Sequence, residues 1–337
     1  MAQKCKKAAA NPRLGTVGGQ AVLEGVMMKS KTRVALAVRR YDNKQINVRA
    51  KDFVGIRQRH KWLNIPILRG AVNFVEMMAL SFSTLTESTE MLGLEEENAT
   101  EKQKQSSKML MSVLSFFAII IGVVMAVGLF MYLPIFVTNY LQDWFKFGDA
   151  FRSIPQGVLR IAIFVLYILL TSLMKDIRRT YMYHGAEHKS IFCYESGAEL
   201  TVENVKKQSR FHPRCGTSFI FVVLIISIVF TATLYSFVHF DSTWQRLACS
   251  LVLTPLLVGI SFEFIMFAGK HDNAFTRILS APGLWMQRIT TREPDDDMIE
   301  VAITSLKTAL IEEFPGFEPP FEDGYDIHGK IKVEKGE

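Results

Sequence analysis

Ser112–Leu133 reads SVLSFFAIIIGVVMAVGLFMYL, a run without a single charged residue that stops at Pro134. About 20 consecutive apolar residues in a helix match the roughly 30 Å hydrocarbon core of a bilayer, so this stretch is expected to cross a membrane. Three further runs share its character, at residues 157–174, 217–240 and 247–268, the first of these being the shortest. The chain has 337 residues, 49% hydrophobic and 21% charged, and the apolar excess gathers into these four blocks. That distribution is expected when lipid, and not one shared core, solvates the apolar side chains. The fold class predicted is an α-helical integral membrane protein with four transmembrane helices and a small β-containing N-terminal module.

Basic residues in short loops resist translocation, so they report orientation. The segment between the first and second runs offers only Lys146 and Arg152, and that between the third and fourth only Arg246. Between the second and third runs lie Lys175, Arg178, Arg179, Lys189, Lys206, Lys207, Arg210 and Arg214. Both termini and the 175–216 loop are therefore expected in the cytoplasm. The net charge of +6 fits loops facing an anionic inner leaflet. No basic stripe interleaved with aromatics and no zinc-finger spacing point to nucleic acid. Cys5, Cys193, Cys215 and Cys249 are too scattered for a disulfide framework, and reduced thiols are expected. Lys4, Lys6 and Lys7 are followed by Asn11-Pro12-Arg13 and glycines where a signal peptide needs an apolar core, so no cleaved export signal is expected.

Outside the four runs the organisation is as follows. Residues 1–62 read as a cytoplasmic β-containing module, with strand-like Val34–Val38 and Ile46–Val48 around a turn at Asp42-Asn43-Lys44. Residues 63–111 read as an interfacial amphipathic helix and a charged linker: Leu68, Val72, Val75, Ala79 and Phe82 share a side, but Arg69, Asn73 and Glu76 interrupt them. The membrane domain spans 112–270. Residues 271–313 hold an amphipathic helix, where Asp295-Asp296-Asp297 precede Ile299, Ile303, Leu306 and Leu310 with acid at the positive helix end. Residues 314–337, rich in Pro, Gly and acid, read as a flexible tail.

The chemistry-bearing stretch is Tyr183-His184-Gly185-Ala186-Glu187-His188-Lys189. On a helix His184 and His188 fall on one face with Glu187 beside them, and two imidazoles at that spacing can share one metal ion. The string is also H-x-x-E-H, the inverzincin pattern, in which the glutamate is a general base. A second stretch, Phe211-His212-Pro213-Arg214-Cys215-Gly216-Thr217, stands just before the third run. His212 and Cys215 there complete a tetrahedral N/S ligand set, for which zinc is the expected divalent metal. Glu263, an acid inside the fourth run, and His271 just beyond it are candidate supporting groups or ligands. A structural ion pair for Glu263 with a basic loop residue is an equal alternative.

These residues resemble the YqhQ family of bacterial membrane proteins, domain of unknown function 1385. The resemblance runs from Arg13 to Glu313 and rests on four blocks: Gly18–Met28 (GGQAVLEGVMM), His184–Lys189, Leu200–Val205 (LTVENV) and His212–Ser218. It implies a multispanning protein of the bacterial inner membrane, in a family often labelled metal-dependent enzymes but with its reaction left open, and Glu24 in its first block is a further candidate supporting group.

Two readings of function stand beside each other. One is a metal-dependent membrane enzyme, a hydrolase, with Glu187 as catalytic base and His184, His188, His212 and Cys215 around the ion. The other is a metal-stapled scaffold or assembly factor, in which the N-terminal module and C-terminal helix bind protein partners and the chain forms oligomers. A transporter ranks third, because the first three runs carry almost no ionisable residue away from their ends. The charge bias makes one measurable statement about topology: a cysteine reporter at position 195 is shielded from a membrane-impermeant label in intact cells, and labelling from outside contradicts the assigned orientation.

Overall fold

The computed structural model describes residues 11–93, 101–145, 149–240, 242–268 and 274–322. Four antiparallel strands, β1 Gly18–Val22, β2 Gly25–Lys29, β3 Arg33–Arg39 and β4 Ile46–Asp52, form a meander in sequence order. Leu23 and Glu24 make the β1–β2 turn between the paired Val22 and Gly25, and Glu24 takes a left-handed φ of 49°. β3 is buried along almost its whole length, a sign that both sheet faces are covered. A short helix α1 (Ile56–Arg59) then leads to α2 (Leu68–Met91).

The helical part begins with α3 (Glu101–Val127), which runs through a π-helical turn at Gly128–Tyr132 into α4 (Leu133–Phe145). Next come α5 (Asp149–Thr171), α6 (Lys175–Glu195), the single turn α7 (Val202–Lys206), α8 (Gly216–Tyr235), α9 (Thr243–Ala268), α10 (Ala274–Thr290) and α11 (Asp296–Ala309). Among the described residues, four stretches are long and apolar enough to cross a membrane: Phe116–Gln142, Ser153–Thr171, Gly216–Tyr235 and Thr243–Phe267.

The first stretch does not stop at Pro134, as the sequence suggested. The π turn has already shifted the i→i−4 hydrogen-bond register, and Pro134 falls in the first turn of α4, where a missing N–H is tolerated. The 175–216 segment is likewise no open loop. It is dominated by α6, whose C-terminal half is buried from Gly185 to Glu195.

The sheet, α6 and α11 share one core. Val26, Met28, Ala35, Ala37, Val48 and Ala50 on one face of the sheet meet Tyr183, Ala186 and Tyr194 of α6 and Ile299, Ala302 and Leu306 of α11. Ser305 of α11 also donates its hydroxyl to the Ala35 carbonyl, 3.0 Å away. The apolar face of the 296–311 amphipathic segment is therefore covered within the chain and is not free for a partner. On the other face, Val22, Met27, Val34, Leu36 and Val38 meet Leu80, Met91 and Leu92 at the end of α2. The start of α2 is tied to α9: a Cβ on Gly70 would stand 2.6 Å from Phe262, and one on Gly259 would stand 2.4 Å from the Ile67 carbonyl oxygen. Thus α2 joins the bundle to the sheet.

The described part of the expected tail, up to Glu322, is docked and not free. Val48 donates to Pro320, Glu322 donates back to Val48, and Arg49 pairs with Glu322 along the β4 edge. Residues 323–337 lie outside the described residues.

Leu306 is fully buried between the sheet and α6. Leu306→Ala is expected to cost about 2–5 kcal/mol in chemical denaturation of the detergent-solubilised protein. Thr304→Ala, at a half-buried position of the same helix outside the core cluster, is expected to cost less than about 1 kcal/mol.

Candidate metal centre

The centre is built from one helix face and one helix start. His184 and His188 sit one turn apart on α6, their ring centroids 4.4 Å apart. Cys215 is the N-cap of α8, which places its sulfur at the positive end of that helix. The ligating atoms of His184, His188 and Cys215 all lie within 4.8 Å of one another. Donors around a tetrahedral ion at 2.0–2.3 Å stand roughly 3.3–3.8 Å apart, and Cys215 Sγ is already 3.4 Å from His184 Nε2.

Both rings are oriented from behind. Nδ1 of His184 is 2.8 Å from the Thr290 carbonyl oxygen, and Nδ1 of His188 is 2.5 Å from that of Arg210. A carbonyl only accepts, so each Nδ1 must carry the proton and each Nε2 presents a lone pair. Buttressing of this kind is what a ligating histidine needs to keep its tautomer and ring plane. The chain can deliver the Thr290 carbonyl because Gly185 has no side chain: a Cβ there would stand 2.0 Å from the Arg292 carbonyl oxygen. Arg292 N in turn donates to the Tyr181 carbonyl, clamping the α10–α11 connection along α6. The donor set of two imidazoles and a thiol, with both tautomers fixed, fits a borderline-soft divalent ion such as zinc.

His212 is placed next to this trio but not in it. Its Nδ1 accepts the Arg214 backbone N–H at 3.3 Å, and its Nε2 lies 3.3 Å from Arg214 Nη2 and 3.8 Å from Glu195. With that lone pair engaged, the ring is directed to a carboxylate. Burial pushes the His212 ring below its ordinary pKa, and Glu195 only partly offsets this. Burial opposes the charge of Glu195, but His212, the Gly15 N–H and Arg214 together hold its carboxyl below the usual range.

Glu187 is buried beside the trio, its Oε2 3.9 Å from His184 Nε2. Gly19 of β1 makes room for it, since a Cβ there would stand 2.8 Å from Glu187 Cγ and 2.9 Å from Oε1. Burial pushes the carboxyl up to about 7, with nearby His184 pulling the other way.

The remaining candidates sit elsewhere. Glu24 accepts both Nε and Nη2 of Arg179 at 2.6 Å and the Tyr183 hydroxyl at 3.2 Å. It fastens the β1–β2 turn to α6 just before His184 and is not among the groups gathered in the His/Cys cluster. Glu263 accepts Nε of Arg69 at 2.7 Å and the Ile67 N–H at 3.1 Å, and pairs with Arg69 Nη2 as well. The start of α2 neutralises this acid, so Glu263 is a structural pair and not a group of the His/Cys cluster. His271 lies outside the described residues.

Several contributors escaped the sequence reading. Gln287 of α10 is fully buried and brackets His212, accepting its N–H and donating to its carbonyl, both at 2.7 Å. The Thr290 and Arg210 carbonyls carry no side-chain signature at all. Glu195 was the findable one, since it continues the His184–His188 stripe seven residues further along α6.

The family model described as "Protein of unknown function (DUF1385)" matches residues 65–312. A curated protein, "Uncharacterized protein YqhQ" of Bacillus subtilis (strain 168), is 35% identical over 302 residues, covering 87% of this chain and 92% of that one. No solved structure matches.

In metal-free protein the raised pKa of Glu187 has a definite sign. The folded form holds a proton that the unfolded chain has lost above about 4.5, so this contribution is complete below that pH and is lost as pH rises through about 7. In chelator-treated protein at pH 8, Glu187→Gln is expected to be more stable than the parent by roughly 3 kcal/mol. The gap should close towards pH 5, as read from denaturation midpoints at the two pH values.

Proposed function

The chain belongs to the DUF1385 family, and we propose that it is a metal-dependent hydrolase spanning the bacterial cytoplasmic membrane four times, with its centre on the cytoplasmic face. The observation that carries this reading is the convergence of one ligand atom each from His184, His188 and Cys215 within 4.8 Å, with both Nδ1 atoms fixed by carbonyls. Three protein ligands leave a fourth position for a reactant, as catalytic sites do and closed structural sites do not. A divalent ion held there supplies Lewis-acid polarisation of a substrate carbonyl or phosphoryl oxygen.

The protein supplies the rest. Glu187 accepts a proton at Oε2 from an attacking water and returns it to the leaving group, a role for which a carboxyl shielded from bulk water is suited. His184 is the most open of the group, its side chain 16% exposed, and marks the side from which a reactant enters. The Glu195–His212–Arg214 cluster stiffens the turn that positions Cys215.

One observation favours a second reading, in which the ion only staples α6 to α8 in a scaffold. His188, Cys215 and Glu187 are all buried, and a cavity of about 340 Å³ lined by Arg13, Tyr194, Leu200, Lys307 and Phe314 includes none of them. Elemental analysis of purified protein, joined to a growth or cell-envelope phenotype of the deletion strain, separates the readings. Glu187→Gln is expected to keep its metal and lose complementation, whereas His188→Ala loses both. If Glu187→Gln complements fully and keeps its metal, the scaffold reading replaces the hydrolase.

A further inference from the structure

Towards the end of the bundle opposite the His/Cys cluster, a half-buried arginine and a buried one lie among apolar helices, with no carboxylate paired to either among the described residues. Arg160 lies in α5, and its Nε and Nη2 are enclosed with no hydrogen-bond partner. Arg246, in the first turn of α9, is 5% exposed, and its Nη1 is in the same condition. Neither arginine is ion-paired to a carboxylate among the described residues. Between them stands Tyr235, the last residue of α8, 2% exposed and within electrostatic range of both guanidinium groups. The Arg246 guanidinium lies 5.4 Å from the centre of its ring.

The convergence follows from helix direction. Helical side chains lean towards the N-terminus of their own helix. α5 and α9 begin at this end of the bundle and α8 finishes here, so Arg160 and Arg246 reach outward while Tyr235 reaches inward. Close packing of α5 on α8 fixes the spacing, since a Cβ on Gly157 would stand 2.2 Å from Ile228. α8, at about 1.5 Å per residue, puts Tyr235 roughly 30 Å from Cys215, at the depth where lipid headgroups begin, while the Arg160 backbone lies deeper and its side chain reaches outward.

Two guanidinium groups held in a low-dielectric setting with unused donors are costly unless an anion completes them. Arginine's planar fork matches the oxygens of a phosphate, and the Tyr235 hydroxyl adds a neutral donor. We propose that Arg160, Arg246 and Tyr235 form a phosphate-binding site at the membrane surface opposite the metal centre. The phosphate comes from an anionic lipid headgroup or from solution.

The test uses the full-length protein in uncharged maltoside micelles free of phosphate. Thermal midpoints are followed during titration with inorganic phosphate and, separately, with phosphatidylglycerol, for the parent, Arg160→Met and Arg246→Gln. One or both additions should raise the parent's midpoint, and half-saturation should shift by at least about tenfold in each variant. A response to phosphatidylglycerol alone assigns the site to a lipid headgroup, and an equal response to inorganic phosphate assigns it to a soluble ligand. Without any phosphate, Arg160→Met should melt no lower than the parent, because it removes an uncompensated charge. The proposal is overturned if neither addition stabilises the parent, if parent and variants respond alike, or if Arg160→Met melts lower in phosphate-free micelles.

Discussion

Two hydrogen bonds from histidine rings to backbone carbonyls hold the centre of this protein together. His184 gives its Nδ1 proton to Thr290, and His188 gives its own to Arg210. Each bond fixes a tautomer, and each also fixes a piece of chain: the end of α10 in one case and the approach to α8 in the other. The ligand geometry is thus inseparable from the path of the backbone after the bundle. Gly185 permits that path, because the α10–α11 connection passes so close to α6 that no β-carbon fits. The same connection delivers α11 to the sheet, where its apolar face closes the core behind the two histidines.

Burial then sorts the ionisable groups around the centre by the partners each one has. Glu195 has Arg214, His212 and the Gly15 N–H, and stays charged. Glu24 has Arg179, Tyr183 and a strained turn conformation that these contacts hold in place. Among the described residues Glu187 has only His184 within ion-pair distance, and burial pushes it towards neutrality. Glu195 and Glu187, both on α6, are therefore pushed in opposite directions, and the one beside the His/Cys trio is the one able to exchange a proton near neutral pH.

The bundle was legible in the sequence because helix length and hydropathy mark its members, and the four apolar helices found among the described residues lie where the runs from Ser112 onward put them. Their ends were less legible. Pro134 reads as a stop, yet a π turn just before it lets the helix continue. The His184/His188 pair on α6 was visible as a helical spacing, and Cys215 as its neighbour at the start of α8. His212 was not separable from Cys215 by residue type, because its fate was decided by an Arg214 backbone N–H that no motif encodes. For the same reason α6 looked like part of a charged loop: its surface residues are basic, and only the sheet and α11, distant in sequence, reveal which of its faces is buried.

The central claim is that one ion is bound by one sulfur and two imidazoles. X-ray absorption at the zinc edge of metal-loaded protein in detergent tests it most directly. The account predicts one sulfur scatterer near 2.3 Å and two imidazole nitrogens near 2.0–2.1 Å, with the sulfur contribution lost in Cys215→Ser. A spectrum with no sulfur neighbour, or one unchanged by Cys215→Ser, contradicts it.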